Sequence, residues 1–146
     1  MKPKNFLTAE EEKRLVEAIR TAEKNTSGEI RVHLESYLKK KPFTQRAGKV
    51  FKKLGMQNTH YKNGVLFYVD VNHRIFTILG DEGINKVVPV DFWDKIKESI
   101  VTEFSKGHYA DALIKGILEV GEQLKKYFPY QEKDKNELPD EISVKS

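Results

Sequence analysis

The sequence of 146 residues contains no cysteine. Disulfide bonds, thiolate metal sites and cysteine nucleophiles are therefore excluded. Long hydrophobic runs are also absent, since no apolar stretch approaches the roughly 20 residues of a membrane-spanning helix. Residues 1–7 lack the apolar segment of a secretory signal peptide. These absences predict a cytoplasmic protein with no membrane span.

Acidic residues are missing from the stretch between Glu35 and Asp70, although the whole chain has 22 of them and a net charge of only +4. Such a stretch predicts a basic face that meets an acidic protein partner, or else the solvated side of a surface helix. No nucleic-acid-binding motif accompanies it, so we expect no nucleic acid partner. The basic residues concerned are Lys39, Lys40, Lys41, Arg46, Lys49, Lys52, Lys53 and Lys62.

Apolar residues at helical spacing predict helices at both ends of the chain. Thr8 and Glu11 have the spacing of a capping box, and the stripe that follows predicts a helix over residues 9–24. A second stripe stops at Gly55. Further helices are predicted over residues 84–88, after a cap at Asp91, and from Tyr109 onward.

Three segments predict strands. Residues 29–34 alternate polar and apolar side chains, as in a half-buried strand, whereas residues 65–69 are continuously apolar, as in a central strand. Residues 74–79 follow the turn at 70–73 as an antiparallel partner. The order of elements predicts an α/β fold, a three-layer α/β/α sandwich whose mixed central sheet contains one β-hairpin. We expect a single domain over residues 1–130 and a charged, disordered tail over residues 131–146.

The candidate site is the acidic loop Gly80-Asp81-Glu82-Gly83, at the end of the hairpin. Asp81, Glu82 and the carbonyl groups of this loop offer the oxygen ligands that hard cations prefer. The alternative is a plain turn in which one acid caps the following helix. Asp70 lies at the other end of the hairpin, so we expect it not to share an ion with Asp81.

Two acids elsewhere in the chain are further candidate ligands. Asp111 lies one turn into the last helix. Glu29 joins the site if its strand begins at the same edge as the acidic loop, and otherwise it is a solvated carboxylate. The histidines have no shared ligand spacing, which predicts scattered, exposed side chains.

Four segments, in this order and spacing, resemble the TPM domain family, in its short stand-alone bacterial form. They are residues 26–30 (TSGEI), residues 63–69 (NGVLFYV), residues 80–83 (GDEG) and residues 104–109 with 113–117 (FSKGHY and LIKGI). The resemblance implies a Rossmann-like sandwich. It also implies a binding or regulatory module that holds calcium or magnesium at loops above the sheet.

The same resemblance implies two further points. A plant relative is described as an acid phosphatase, so metal-dependent phosphatase activity is an alternative function. This chain, however, has no P-loop and no Asp-x-Asp-x-Thr nucleophile motif. The family often has an acid at the positions of His73 and His108. Because His108 replaces such an acid, we include it with the candidate metal ligands.

Overall fold

The computed structural model describes residues 2–37, 42–130 and 142–145. A 3-10 turn at Pro3–Asn5 precedes the first helix. In chain order the elements are α1 (Ala9–Glu23), β1 (Glu29–Glu35), α2 (Phe43–Lys53), β2 (Gly64–Asp70), β3 (Ile75–Gly80), α3 (Glu82–Asn85), α4 (Phe92–Ser105), α5 (Tyr109–Tyr127) and β4 (Ser143–Lys145).

The four strands form one mixed sheet in the order β3-β2-β1-β4. Strand β1 runs parallel to β2 and to β4, whereas β2 and β3 form an antiparallel hairpin. Every residue of β2 is buried, which confirms the prediction that the continuously apolar segment is a central strand.

Alternation along β2 divides the core into two halves. Val65, Phe67 and Val69 belong to the larger cluster, which also contains the buried residues of α1, α4 and α5. Leu66 and Tyr68 belong to a smaller cluster with residues of α2 and Met56. Helices therefore cover both faces of the sheet, and the predicted three-layer α/β/α sandwich is confirmed.

The ends of the helices follow the local sequence signals in most places. The Thr8 hydroxyl accepts from the Glu11 amide at 3.1 Å, and the Glu11 carboxylate accepts from the Thr8 amide at 2.9 Å, which completes the predicted capping box. Gly55 adopts φ 71° just beyond α2. Asp91 occupies the N-cap position of α4, but its side chain makes no capping hydrogen bond. Helix α3 begins two residues before the predicted segment 84–88.

The strand β4 differs from the expected disordered tail. Ile142 packs against the main core, and the next three residues pair with the outer edge of β1. The physical reason is that Ile142 and Val144 alternate with polar residues, and an edge strand has unpaired backbone groups that a short extended segment can satisfy. Residues 131–141 and 146, the rest of the predicted tail, lie outside the described residues.

Strand direction distinguishes two ends of the sheet, which we call the amino edge and the carboxyl edge. The amino edge is where β1 and β2 begin and β3 ends, with Glu29 opposite Gly64 and Gly80 opposite Val65. The carboxyl edge is where β1 and β2 end, at Glu35 and Asp70. Asp70 lies opposite Ile75, the first residue of β3, so the predicted separation of Asp70 from Asp81 is confirmed.

Candidate metal site

The acidic loop lies at the amino edge, together with Glu29. The Asp81 amide donates to the Gly64 carbonyl at 3.0 Å, and the Glu29 amide donates to the Asn63 carbonyl at 3.4 Å. Residues 63 and 64, at the start of the central strand, thus hold Glu29 on one side and Asp81 on the other. The condition that β1 begins at the same edge as the acidic loop is met.

Alternation places Glu29 and Asp81 on the same face of the sheet. Ile30 faces the main core, so Glu29 faces the side of α2. Gly80 faces Trp93 of α4, so Asp81 faces the side of α2 as well. Gly64 lies between them without a side chain, and a Cβ atom there would come within 3.0 Å of the Met56 carbonyl oxygen. No side chain of β2 therefore separates the two acids, and Met56 packs over Gly64 in its place.

Asp81 caps a helix with one carboxylate oxygen, and its other oxygen is buried. Its Oδ1 accepts from the Glu82 amide at 2.8 Å, at the N-terminus of α3. Its Oδ2 is buried and has no hydrogen-bond donor among the described residues. The alternative interpretation as a capping residue is therefore correct for one oxygen and leaves the other available. Glu82 has an exposed side chain beside it.

Two further side chains at this edge are buried. Glu29 is only 3% exposed, so the alternative of a solvated carboxylate is wrong. Asn63 is fully buried, and its Nδ2 donates to the Ser27 hydroxyl at 3.2 Å. Its Oδ1 has no donor among the described residues. Buried acceptors without donors are uncommon in native proteins and point to a bound water or ion.

His108 and Asp111 lie at the opposite end of the domain. Phe76, near the start of β3, packs against Phe104, and Phe104 packs against Tyr109, each pair with ring centroids 4.9 Å apart. This aromatic series fixes the start of α5 near the carboxyl edge. The structure therefore does not bring His108 or Asp111 together with Asp81.

Both of these side chains have protein partners. His108 Nδ1 lies 2.8 Å from a carboxylate oxygen of Glu103. Asp111 accepts from Arg14 at 2.7 Å, and both side chains of this pair are largely exposed. The loop acids and Glu29 thus remain as the predicted ligands that share one edge.

The carboxyl edge contains a buried charge network that the sequence did not predict. Glu35 accepts from Arg46 Nε and Nη2 at 2.7 and 2.5 Å, from the Tyr68 hydroxyl at 2.8 Å, and lies 3.4 Å from His33 Nε2. Burial opposes ionisation of Glu35, but these hydrogen bonds outweigh it and hold its pKa at about 2. Burial and the bond to Glu35 raise the pKa of Tyr68. The sequence signal that could have revealed this network is the period-2 alternation of the strands, because it places residues 33 and 35 on the same face of the sheet as Tyr68.

Asp70, also at the carboxyl edge, organises the hairpin turn. Its carboxylate accepts from the amides of Tyr37 at 3.1 Å and Asn72 at 3.0 Å, and Oδ2 lies 2.6 Å from His73 Nδ1. His73, like His60 and His108, is exposed, as predicted. His33 is buried, so the prediction of exposed histidines is wrong for this one.

Among the described residues, neither edge brings together enough carboxylate and histidine side chains to hold a metal ion without other ligands. Within residues 2–37, 42–130 and 142–145, no group of three or more His, Asp or Glu side chains is placed to hold one ion. Any cation at the amino edge must therefore also use amide, main-chain or water oxygens.

None of the helices in the described residues is long and apolar enough to cross a membrane.

The mixed four-stranded sheet, with α2 on one face and α1, α4 and α5 on the other, defines a three-layer α/β/α domain with polar loops at both edges. The chain belongs to the TPM domain family, whose model matches residues 1–123. The predicted family resemblance is thereby confirmed.

Solved structures agree with this assignment. The NMR structure of the BA42 protein from the psychrophilic bacterium Bizionia argentinensis is 52% identical, covers 97% of each chain and superposes with a TM-score of 0.89. The N-terminal domain of a P. gingivalis protein is 20% identical, with a TM-score of 0.70 over 87% of this chain and 83% of that chain.

The P. gingivalis structure and a third one show only that the fold is shared, because each is less than 25% identical to this chain. The N-terminal domain of the cg2496 protein from Corynebacterium glutamicum is 14% identical, with a TM-score of 0.62 over 81% of this chain and 74% of that chain. No match was found among curated proteins. Cation binding, phosphatase activity, a protein partner and a cytoplasmic location stay predictions.

Proposed function

We propose that this TPM domain binds one divalent cation, calcium or magnesium, at the amino edge of its sheet. The observation that carries the proposal is the buried Oδ2 of Asp81, which no donor among the described residues satisfies. A carboxylate oxygen in that position is stabilised by a cation, because burial of an uncompensated negative charge is costly.

The residues at this edge fit a hard cation. Glu29 projects onto the same face as Asp81, and the donor set at the edge consists of carboxylate, amide and carbonyl oxygens. Oxygen ligands suit calcium and magnesium rather than softer metals. With so few carboxylates, water would complete the coordination sphere. We therefore expect a dissociation constant on the order of a millimolar, as in weak calcium modules.

A titration followed by NMR tests the ion and its location together. Calcium or magnesium should shift the amide signals of residues 29, 63–64 and 81–83, and Asp81→Ala should abolish these shifts. Asp111→Ala is the matched control, because it removes an exposed acid at the opposite end of the domain and should leave the titration unchanged.

Two outcomes would contradict the proposal. One is the absence of shifts and of calorimetric heat at a cation concentration of about 10 mM, well above the expected dissociation constant. The other is a set of shifts centred on residues 103–111, which would place the ion at the carboxyl edge.

Hydrolysis of an aryl phosphate by the same variants, with and without a chelator, tests the phosphatase alternative.

A second candidate function rests on the basic face of α2. Lys49, Lys52 and Lys53 are exposed, while Ala47 and Val50 of the same helix are buried. This arrangement favours docking of an acidic protein partner on the outer side of α2. Reversal of the three lysines to glutamate should abolish pull-down of such a partner. Equal capture of the partner by the wild type and by the variant with the three reversed lysines would contradict this second function. Lys39–41, part of the predicted basic face, lie outside the described residues.

A further inference from the structure

The edge strand β4 covers only part of the outer edge of β1. Three residues pair, with Ser143 opposite His33, Val144 opposite Leu34 and Lys145 opposite Glu35. A cavity of about 400 Å³ remains between β4 and the outer face of α1, and Val144 is 45% exposed. A strand this short, with so little buried apolar surface, contributes little stability by itself.

A buried histidine side chain holds β4 to the sheet. The Ser143 hydroxyl lies 2.9 Å from His33 Nδ1, and the other ring nitrogen, Nε2, lies 3.4 Å from Glu35 Oε1. A neutral imidazole with its proton on Nε2 satisfies both contacts, since it donates to Glu35 and accepts from Ser143. The Tyr68 ring stacks on the imidazole with centroids 6.0 Å apart.

Charged or titratable side chains from four elements surround His33. Arg31 and Glu35 belong to its own strand, Tyr68 to β2, Arg46 to α2 and Lys145 to β4. Glu35 is already bound by Arg46 through two hydrogen bonds, so much of its negative charge is compensated. Burial is the largest effect on His33 and lowers its pKa, against a smaller opposing effect of Glu35.

We propose that residues 142–145 form a releasable edge strand and that His33 is the proton-sensitive latch that holds it. Release of β4 removes the Ser143 contact and admits water to the imidazole, which makes protonation easier in the released state than in the docked state. A proton therefore binds preferentially to the released state, and acidification shifts the equilibrium toward release.

The pH window follows from the direction of the pKa shift. Docking is strongest above the pKa of His33 in the released state, which is higher than in the docked state because water reaches the imidazole. It weakens as the pH falls from there toward the lower pKa of the docked state. In this window the docking constant falls by at most about tenfold for each pH unit. Below the docked-state pKa, further acidification has no additional effect through His33.

Release would uncover only a short length of backbone. By alternation, Val32 and Leu34 direct their amide and carbonyl groups outward, toward β4. The preceding outward amide, that of Ile30, already donates to Glu23 Oε2 of α1 at 2.8 Å. The uncovered edge is therefore limited to the few residues that β4 protects.

Amide hydrogen exchange on the full chain tests the latch. Protection factors of Leu34 and Lys145, whose amides lie between the two strands, should fall between about pH 7.5 and about pH 5.5, where histidine titrates, after correction for intrinsic exchange. His33→Gln keeps a hydrogen-bonding side chain that does not titrate in this range, and it should remove the pH dependence. Ser143→Ala should lower protection at neutral pH, while the matched change Ser105→Ala on α4 should not.

A second measurement follows the imidazole itself. In Ser143→Pro, which lacks the amide that β4 directs toward β1, the pKa of His33 from its ring carbon shifts should lie above that of Ser143→Ala, which lacks only the hydroxyl. Three results would overturn the proposal. They are protection that is constant with pH in the wild type, pH dependence that persists in His33→Gln, and a His33 pKa in Ser143→Pro that is no higher than in Ser143→Ala.

Discussion

Replacement of Arg46 by methionine removes the guanidinium group that holds Glu35 ionised beneath α2. The arginine donates two hydrogen bonds to this carboxylate, whose side chain is 4% exposed. Methionine preserves much of the apolar stem but leaves a buried charge with weaker partners. Removal of one partner from a buried ion pair costs about 3–5 kcal/mol, so we expect a loss of about 3 kcal/mol in the free energy of unfolding at neutral pH.

The pH dependence provides an independent measure of the same interaction. The pKa of Glu35 is lowered from 4.5 to about 2 in the folded protein. Because the folded-state value is depressed, the stabilisation is fully present above the unfolded-state pKa and is lost as the pH falls toward 2. The full contribution is about 3 kcal/mol, of which about 2 kcal/mol should disappear between pH 5 and pH 3.

Urea unfolding across this pH range would measure both quantities. The wild type should lose stability more steeply than Arg46→Met between about pH 5 and about pH 3, by about 2 kcal/mol. Arg14→Met is the matched control, because the Arg14–Asp111 pair is exposed and should have little effect at either pH. If the free energy of unfolding fell equally steeply with pH in the wild type and in Arg46→Met, the conclusion that Arg46 lowers the pKa of Glu35 would be refuted.

Three single substitutions at glycine and capping positions test local packing in three different parts of the fold. Gly83→Ala should destabilise strongly, because its Cβ would lie 2.6 Å from the Lys62 carbonyl oxygen, and thermal unfolding would show it. Gly48→Ala should instead stabilise by about 1 kcal/mol, since among the described residues no atom outside the backbone of α2 lies within 4 Å of the added Cβ and alanine favours a helix interior. Thr8→Ala should cost about 1 kcal/mol in urea unfolding through loss of the capping box, and an unchanged midpoint would contradict it.

The sequence predicted the main body of the fold because its signals were local. The capping box at Thr8, the continuous apolar run of β2 and the glycine after α2 each depend on residues a few positions apart. The strand β4 could not be predicted in this way. Its three residues are a strand only because the outer edge of β1 lies beside them, and that edge is more than a hundred residues away in the sequence.

The candidate site was predicted in part for the same reason. Hairpin geometry correctly separated Asp70 from Asp81, because antiparallel pairing is fixed by the turn between them. The placement of Asp111 and His108 depended on the path of α4 and α5 across the sheet, which no local pattern specifies. Burial of Glu29 and His33 was also missed, since each lies at a polar position of an alternating strand that a second helix layer covers.

The difference between the two edges bears on where a cation would bind. Open α/β sheets usually bind ligands at the carboxyl ends of their strands. Here the carboxylates of that edge are already engaged: Glu35 by Arg46, Tyr68 and His33, and Asp70 by two backbone amides and His73. A cation there would have to displace donors that already stabilise each charge. At the amino edge, Asp81 Oδ2 and Asn63 Oδ1 are buried acceptors without donors among the described residues. A cation there would stabilise such an acceptor without displacing an existing hydrogen-bond donor.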